Sequence, residues 1–303
     1  MKRTKQILAI IMFFIGVGCL AVAATLIIKY AREDRQSAAL GEEYGSRPVE
    51  SESRISLPDE TEPMSTPEST TPLQEASSEP ESEPESESVL APEPEPVVNP
   101  YAASYLANSD MVGWLVIPGT VIDYPVMWTP EDENYYLRRG FDKKKSTAGC
   151  LILDTDSALD PLTTNLIIHG HNMKAGTMFG TLGQYEKEDF YQDHKEIILY
   201  TEECQRNYEV LAVFRSQVYK KSDTVFKFYK FFQADTEEEF YDFYDNIMEM
   251  SMYDTGVTAE FGDHFITLST CSYHVDNGRF VVVAKEVERG DTYLPLEASE
   301  DNK

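Results

Sequence analysis

The spacing of hydrophobic positions changes three times along the chain, and each change marks a different kind of segment. From Ile7 to Ile28 the sequence runs 22 residues without a charge, long enough for a helix to cross a hydrocarbon layer of roughly 30 Å. From Gly41 to Pro96 apolar positions are sparse and Tyr44 is the sole aromatic residue. From Asn99 onward apolar residues return in short runs bounded by turn-forming residues. Strand-like runs fall at Trp114 to Pro118, Val121 to Met127, Ala148 to Asp154, Asn165 to His169, Glu196 to Thr201, Asn207 to Ser216, Thr224 to Phe232, Asp263 to Cys271 and Arg279 to Val287. So many short, β-branched and aromatic runs predict a mainly β domain whose antiparallel sheet closes into a barrel. Asn99 to Met111 predicts a short helix, and one longer helix interrupts the strands. Thr236-Glu237-Glu238-Glu239 reads as a capping box, and Phe240, Phe243, Tyr244, Ile247 and Met248 follow on one helical stripe that belongs against the barrel. The segments divide the chain into a tail at 1–6, a membrane anchor at 7–28, a linker at 29–98, a folded domain at 99–290 and a tail at 291–303.

The first span fits a membrane anchor or a signal peptide. It exceeds the about 7 to 15 apolar residues of a signal peptide, and no small-x-small site closes it before Lys29, which favours an uncleaved anchor. Lys2, Arg3 and Lys5 precede the span, and Lys29, Arg32 and Arg35 follow it. The free amino terminus and the acidic downstream chain tip the balance towards an inside N-terminus. Residues 41–96 carry 16 acidic and two basic side chains and the near-repeat from Ser78 to Ser88, so this segment holds 14 of the chain's 27 net negative charges. A segment so poor in apolar residues cannot bury enough surface to fold, and self-repulsion makes it an extended, disordered tether. An acidic tether on an acidic domain argues against nucleic acid as a partner.

Four cysteines are too few and too scattered for a disulfide scaffold, and no Cys-x-x-Cys spacing suggests zinc. Cys19 lies in the apolar span, Cys150 in a strand-like run that predicts burial, and Cys204 in a polar stretch that predicts a turn. Cys271 differs. It ends the run Thr267-Leu268-Ser269-Thr270-Cys271, and Arg279 opens the next run eight residues later across Asn277-Gly278, a strong turn signal. Cys271 and Arg279 are therefore expected at one mouth of a sheet. A thiol with a pKa of about 8.5 is little ionised at neutrality and needs a base or cation nearby. The best source of a base is Asn165-Leu166-Ile167-Ile168-His169-Gly170-His171-Asn172-Met173.

Together the TLSTC run, an Arg opening RFVVVAK and the upstream GHNM followed by Met178-Phe179 resemble a sortase, a surface transpeptidase of Gram-positive bacteria. The resemblance runs from about Asn99 to Val287. Gly113-Trp114-Leu115-Val116-Ile117, Ile122-Asp123-Tyr124-Pro125-Val126 and the helix inserted before the cysteine strand narrow it to class B. It implies a closed eight-stranded barrel with peripheral helices, an N-terminal one and the inserted one among them.

The resemblance also implies roles. Cys271 would be the nucleophile. His171, the histidine of Gly-His-Asn-Met, would protonate the leaving amine and deprotonate the incoming one. Arg279 would hydrogen-bond the developing oxyanion. Ser269 shares a strand face with Cys271 and, with Thr270, would help position substrate; His274 is expected in a loop lining the cleft. His169 departs from the aromatic residue usual at its position. His-x-His can present two metal ligands, but no further ligand follows at metal spacing, so packing or hydrogen bonding is favoured, with no metal and no cofactor. The implied partners are secreted proteins with a C-terminal sorting signal of the Asn-Pro-x-Thr or Leu-Pro-x-Thr type, and an amine of peptidoglycan or its lipid-linked precursor. The implied location is the cell membrane, single-pass, with the catalytic domain outside. A pilin-polymerising sortase, an inactive tethered binding module and a zinc hydrolase on His169 and His171 are the alternatives, the second disfavoured by the filled catalytic positions and the third by the lack of a further ligand at metal spacing.

Overall fold

A computed structural model describes residues 97–296. The expected anchor, almost all of the linker and residues 297–303 lie outside the described part. Among the described residues no helix is long and apolar enough to cross a membrane.

Eight strands form one closed barrel: β1 (Met111–Val116), β2 (Asp123–Met127), β3 (Leu151–Leu153), β4 (Asn165–Gly170), β5 (Glu196–Tyr200), β6 (Gln205–Gln217), β7 (Phe265–Cys271) and β8 (Gly278–Arg289). Around the barrel they run β1-β2-β3-β4-β7-β8-β6-β5. Alternation along β4 and β7 sends Leu166, Ile168, Ile266 and Leu268 into the barrel core with Leu115, Val126, Val213 and Val282. The intervening residues, among them His169 and Ser269, therefore face outward.

The expected all-antiparallel sheet needs correction, because β2 pairs with β3 and β4 with β7 in parallel. Parallel neighbours require the chain to return to the same end of the sheet, and here residues 128–150 and 171–264 make those returns. The run at Thr224 to Phe232 is not a strand. It holds a 3₁₀ turn at Phe228–Lys230, and its aromatics pack as single anchors instead of along one face, Phe231 stacking on Phe243 at 4.0 Å between ring centroids. The run at Ala148 to Asp154 shortens to β3 because Gly149 turns the chain at φ 65°, where a Cβ would stand 2.7 Å from the carbonyl oxygens of Tyr136 and Leu137.

Among the described residues three α-helices flank the barrel: α1 (Ala102–Ala107), α2 (Glu188–Asp193) and α3 (Glu237–Met250). Beside α1, Tyr101 stacks on Trp114 at 4.6 Å. The predicted capping box of α3 is present in full: the amide of Glu239 donates to Thr236 Oγ1, and the amide of Thr236 donates to Glu239 Oε2. Its stripe buries Phe240, Phe243 and Ile247 against outward residues of β6, β7 and β8, including Phe265, Val281 and Val283. Each such aromatic, once fully buried, contributes about 1.5–3 kcal/mol.

Candidate active site

The site grows from the β7–β8 hairpin. The two strands stay in unbroken register from Phe265 opposite Lys285 to Cys271 opposite Arg279, so the thiol and the guanidinium leave the sheet side by side on its outer face. The connecting loop closes with Asn277 at φ 55°, a conformation asparagine tolerates better than most residues, and a Cβ on Gly278 would collide with Ser272 O.

Strand β4 runs parallel to β7, with His169 opposite Ser269 and Gly170 opposite Thr270. The next residue, His171, therefore emerges level with Cys271. Gly170 permits this ending, since a Cβ there would meet Phe179 at 2.5 Å and Leu151 at 2.6 Å. The connection is tied down by Asn172 Nδ2, which donates to Cys271 O at 2.7 Å, and by Thr270 Oγ1, which donates to Gly170 O at 2.7 Å.

The far wall comes from the segment before β3. His171 Nε2 donates to Leu137 O at 2.9 Å, and because a carbonyl can only accept, Nδ1 is the nitrogen free to exchange a proton. Arg279 Nη1 donates to Gly278 O at 3.0 Å, folding the guanidinium back on its own loop. His171, Cys271 and Arg279 line one cleft with Ser269, Thr270, Asp154 and His169. Cys271 is a free, half-buried thiol.

The Sortase domain family model matches residues 115–287. The sortase B of Listeria monocytogenes is 35% identical over 185 residues, covering 60% of this chain and 72% of that protein. Among solved structures, sortase B from B. anthracis in complex with AAEK1 is 32% identical with a TM-score of 0.53, covering 62% of this chain and 83% of that one. A Staphylococcus aureus sortase B–substrate complex is 28% identical with a TM-score of 0.56, covering 63% and 86%. The chain belongs to the sortase family, class B.

Within this sortase the other sequence-selected residues go to different places. Ser269 is buried on the outward face it shares with Cys271, and its hydroxyl has no hydrogen-bond partner among the described residues. His274 corrects its expectation: it is exposed in the β7–β8 loop, bonded to Ser272 Oγ at 2.9 Å, and does not line the cleft. Its ring turns back over the loop's own end, where a Cβ on Gly278 would stand 2.9 Å from His274 Nδ1. His169 makes a side-chain bond, Nε2 to Asp154 Oδ2 at 3.0 Å, and no group of three potential metal ligands exists among the described residues.

The two other described thiols are buried, Cys150 in the wall of the same cleft and Cys204 away from it. Burial, with a smaller contribution from Asp142, pushes the Cys150 thiol up to about 12. Cys204 is buried in the tight β5–β6 turn, its backbone amide bonded to Thr201 Oγ1 at 3.1 Å. Sequence reasoning missed Asp154, Asn172 and the Leu137 carbonyl. Asp154 had a readable signal, as the first charge after the apolar run of β3; the contacts of Asn172 and Leu137 span 99 and 34 residues and leave no local pattern.

Proposed function

We propose that this sortase is a cysteine transpeptidase that cleaves a C-terminal sorting signal after Thr and transfers the protein to a peptidoglycan amine. The observation that supports this reading is the cleft shared by Cys271, His171 and Arg279 at the end of β4, β7 and β8. In the first step the Cys271 thiolate attacks the carbonyl carbon of the scissile peptide bond, and its electrons pass to the oxygen. Arg279 donates to that oxyanion; a single donor of this kind is worth about 3 kcal/mol of barrier. His171, carrying the proton it took from the Cys271 thiol, gives that proton to the leaving amine, the C–N bond breaks, and a thioacyl-enzyme remains. In the second step the acceptor amine attacks the thioacyl carbon, neutral His171 takes its proton, and the C–S bond breaks to restore the thiolate. The apolar run at 7–28 would hold the enzyme at the membrane, with the acidic linker extending the catalytic domain towards the wall.

The test is mass spectrometry of the enzyme mixed with sorting-signal peptides of both types. A thioacyl adduct on Cys271, absent in Cys271→Ala, is the expected outcome, with Cys150→Ala and Cys204→Ala still forming it. Burial of Cys150 predicts that alkylating reagents at pH 8 label Cys271 first. Inactivation through Cys150 or Cys204 would remove Cys271 as the nucleophile.

A further inference from the structure

Two imidazoles line the cleft, and the mechanism above uses only one. His169 stands on the outward face of β4, opposite Ser269 and two positions before the level of Cys271. Strand spacing of about 4.8 Å and a rise of about 3.3 Å per residue put its Cα roughly 8 Å from that of Cys271, a distance that two side chains and a small amine bridge. Its Nε2 is held by Asp154 Oδ2 at 3.0 Å, with the imidazole 37% and the carboxylate 22% exposed. Burial pushes the Asp154 carboxyl up, but the His169 hydrogen bond, the Asp156 amide, and the charges of His169 and Lys230 outweigh it and hold it below its usual value. An ionised carboxylate can only accept, so Nε2 carries a proton, and in the neutral ring Nδ1 is the nitrogen with the lone pair. This is a base with its orienting partner, beside a nucleophile that already has a histidine of its own.

Transpeptidation poses a problem that one histidine does not solve. An alkyl amine reaches the enzyme as an ammonium ion, with a pKa of about 10.4 for a lysine-type side chain. It must lose one proton before it can attack and a second as the amide forms. We infer that His169, oriented by Asp154, is the base that takes the first proton from the incoming ammonium. This rests on the transpeptidase reading above. The sequence balances. His169 Nδ1 accepts a proton from R-NH3+, becoming an imidazolium stabilised by the Asp154 carboxylate. The free amine forms the C–N bond at the thioacyl carbon. His171 accepts the second proton, the C–S bond breaks, the Cys271 thiolate leaves, and His169 returns its proton to solvent. The other charged or titratable groups around the pair are Lys230, which acts on Asp154, and Glu133, Cys150, His171, Cys271 and Arg279 in the cleft lining. Asp154 and Glu133 give that lining the negative charge a cationic acceptor needs.

The experiment compares two acceptors on the full chain with one cleavable peptide: Nα-acetyl-lysine amide, protonated at neutral pH, and hydroxylamine, unprotonated there. His169→Gln should slow transfer to the lysine amine about a hundredfold, and transfer to hydroxylamine far less. Raising the pH towards the amine's own pKa should restore the variant. Asp154→Asn, which leaves the base but not its orientation, should shift the same pH profile by a smaller amount. Residual hydroxylamine transfer reports that each variant is folded. Equal losses with both acceptors, or no recovery at high pH, would overturn the role of His169. Absence of a thioacyl adduct in the wild type would overturn the transpeptidase reading and this inference with it.

Discussion

His169 and His171 leave the same strand two residues apart, yet different partners hold them: Asp154 for the first, the Leu137 carbonyl for the second. Only His171 emerges level with Cys271, so the two should separate in the acylation step. His171→Ala is expected to lose at least about a hundredfold in thioacyl formation, and His169→Ala to stay within about tenfold, measured in a single turnover before any amine is added. Equal losses would point to a coupled pair or a metal and would remove the assignment. The Asp154–His169 bond also carries a stability signature. A carboxyl held below its usual value contributes stability that is fully present above the unfolded pKa of about 3.9 and is lost as pH falls through the lower folded value. Asp154→Asn should thus destabilise the domain at pH 6, and the gap from wild type should close as pH falls through the lower folded value. Urea unfolding across that range measures it; a gap that persists in acid would mean that shape, not charge, is lost.

At the scale of elements, α3 shows how a local signal and a tertiary contact combine. The capping box satisfies the first amides of the helix, and the aromatic stripe then buries against Phe265 on the strand that ends at Cys271. Thr236→Ala removes the cap while leaving the stripe intact. A loss of about 1 kcal/mol in urea unfolding is expected, with little effect on turnover, since the helix packs on Phe265 at the start of β7 while Cys271 lies at that strand's other end. A large loss of activity at unchanged stability would mean that α3 sets the cleft geometry directly. The β7–β8 hairpin works on the opposite logic. Its register is set by pairs along both strands and closed by Asn277 and Gly278, so the spacing of Cys271 and Arg279 is built into the sheet and needs no packing from outside.

For the molecule as a whole, the described residues 97–296 hold the closed barrel, its three core clusters and the cleft. The chain lacking residues 1–35 should therefore keep its strand signature in circular dichroism and hydrolyse short peptides; loss of both would mean that the apolar run supports the fold. What the sequence by itself determined is what depends on neighbours in the chain: the alternation of Phe265 to Cys271, the α1 region, the capping box at Thr236, the turn at Asn277-Gly278, and hence the proximity of Cys271 to Arg279. Each is legible because backbone geometry imposes a period of 2 or 3.6 or a specific φ on adjacent residues. The tertiary structure alone decided which distant strands meet. The parallel pairing of β4 with β7 joins residues about a hundred positions apart, and no periodicity records a partner across such a loop. The same reason hid the bond from His169 to Asp154, the Leu137 carbonyl on His171, and the fate of residues 224–232. That segment has the composition of a strand, but the barrel closes between β6 and β8 without it, so its aromatics pack against α3 instead.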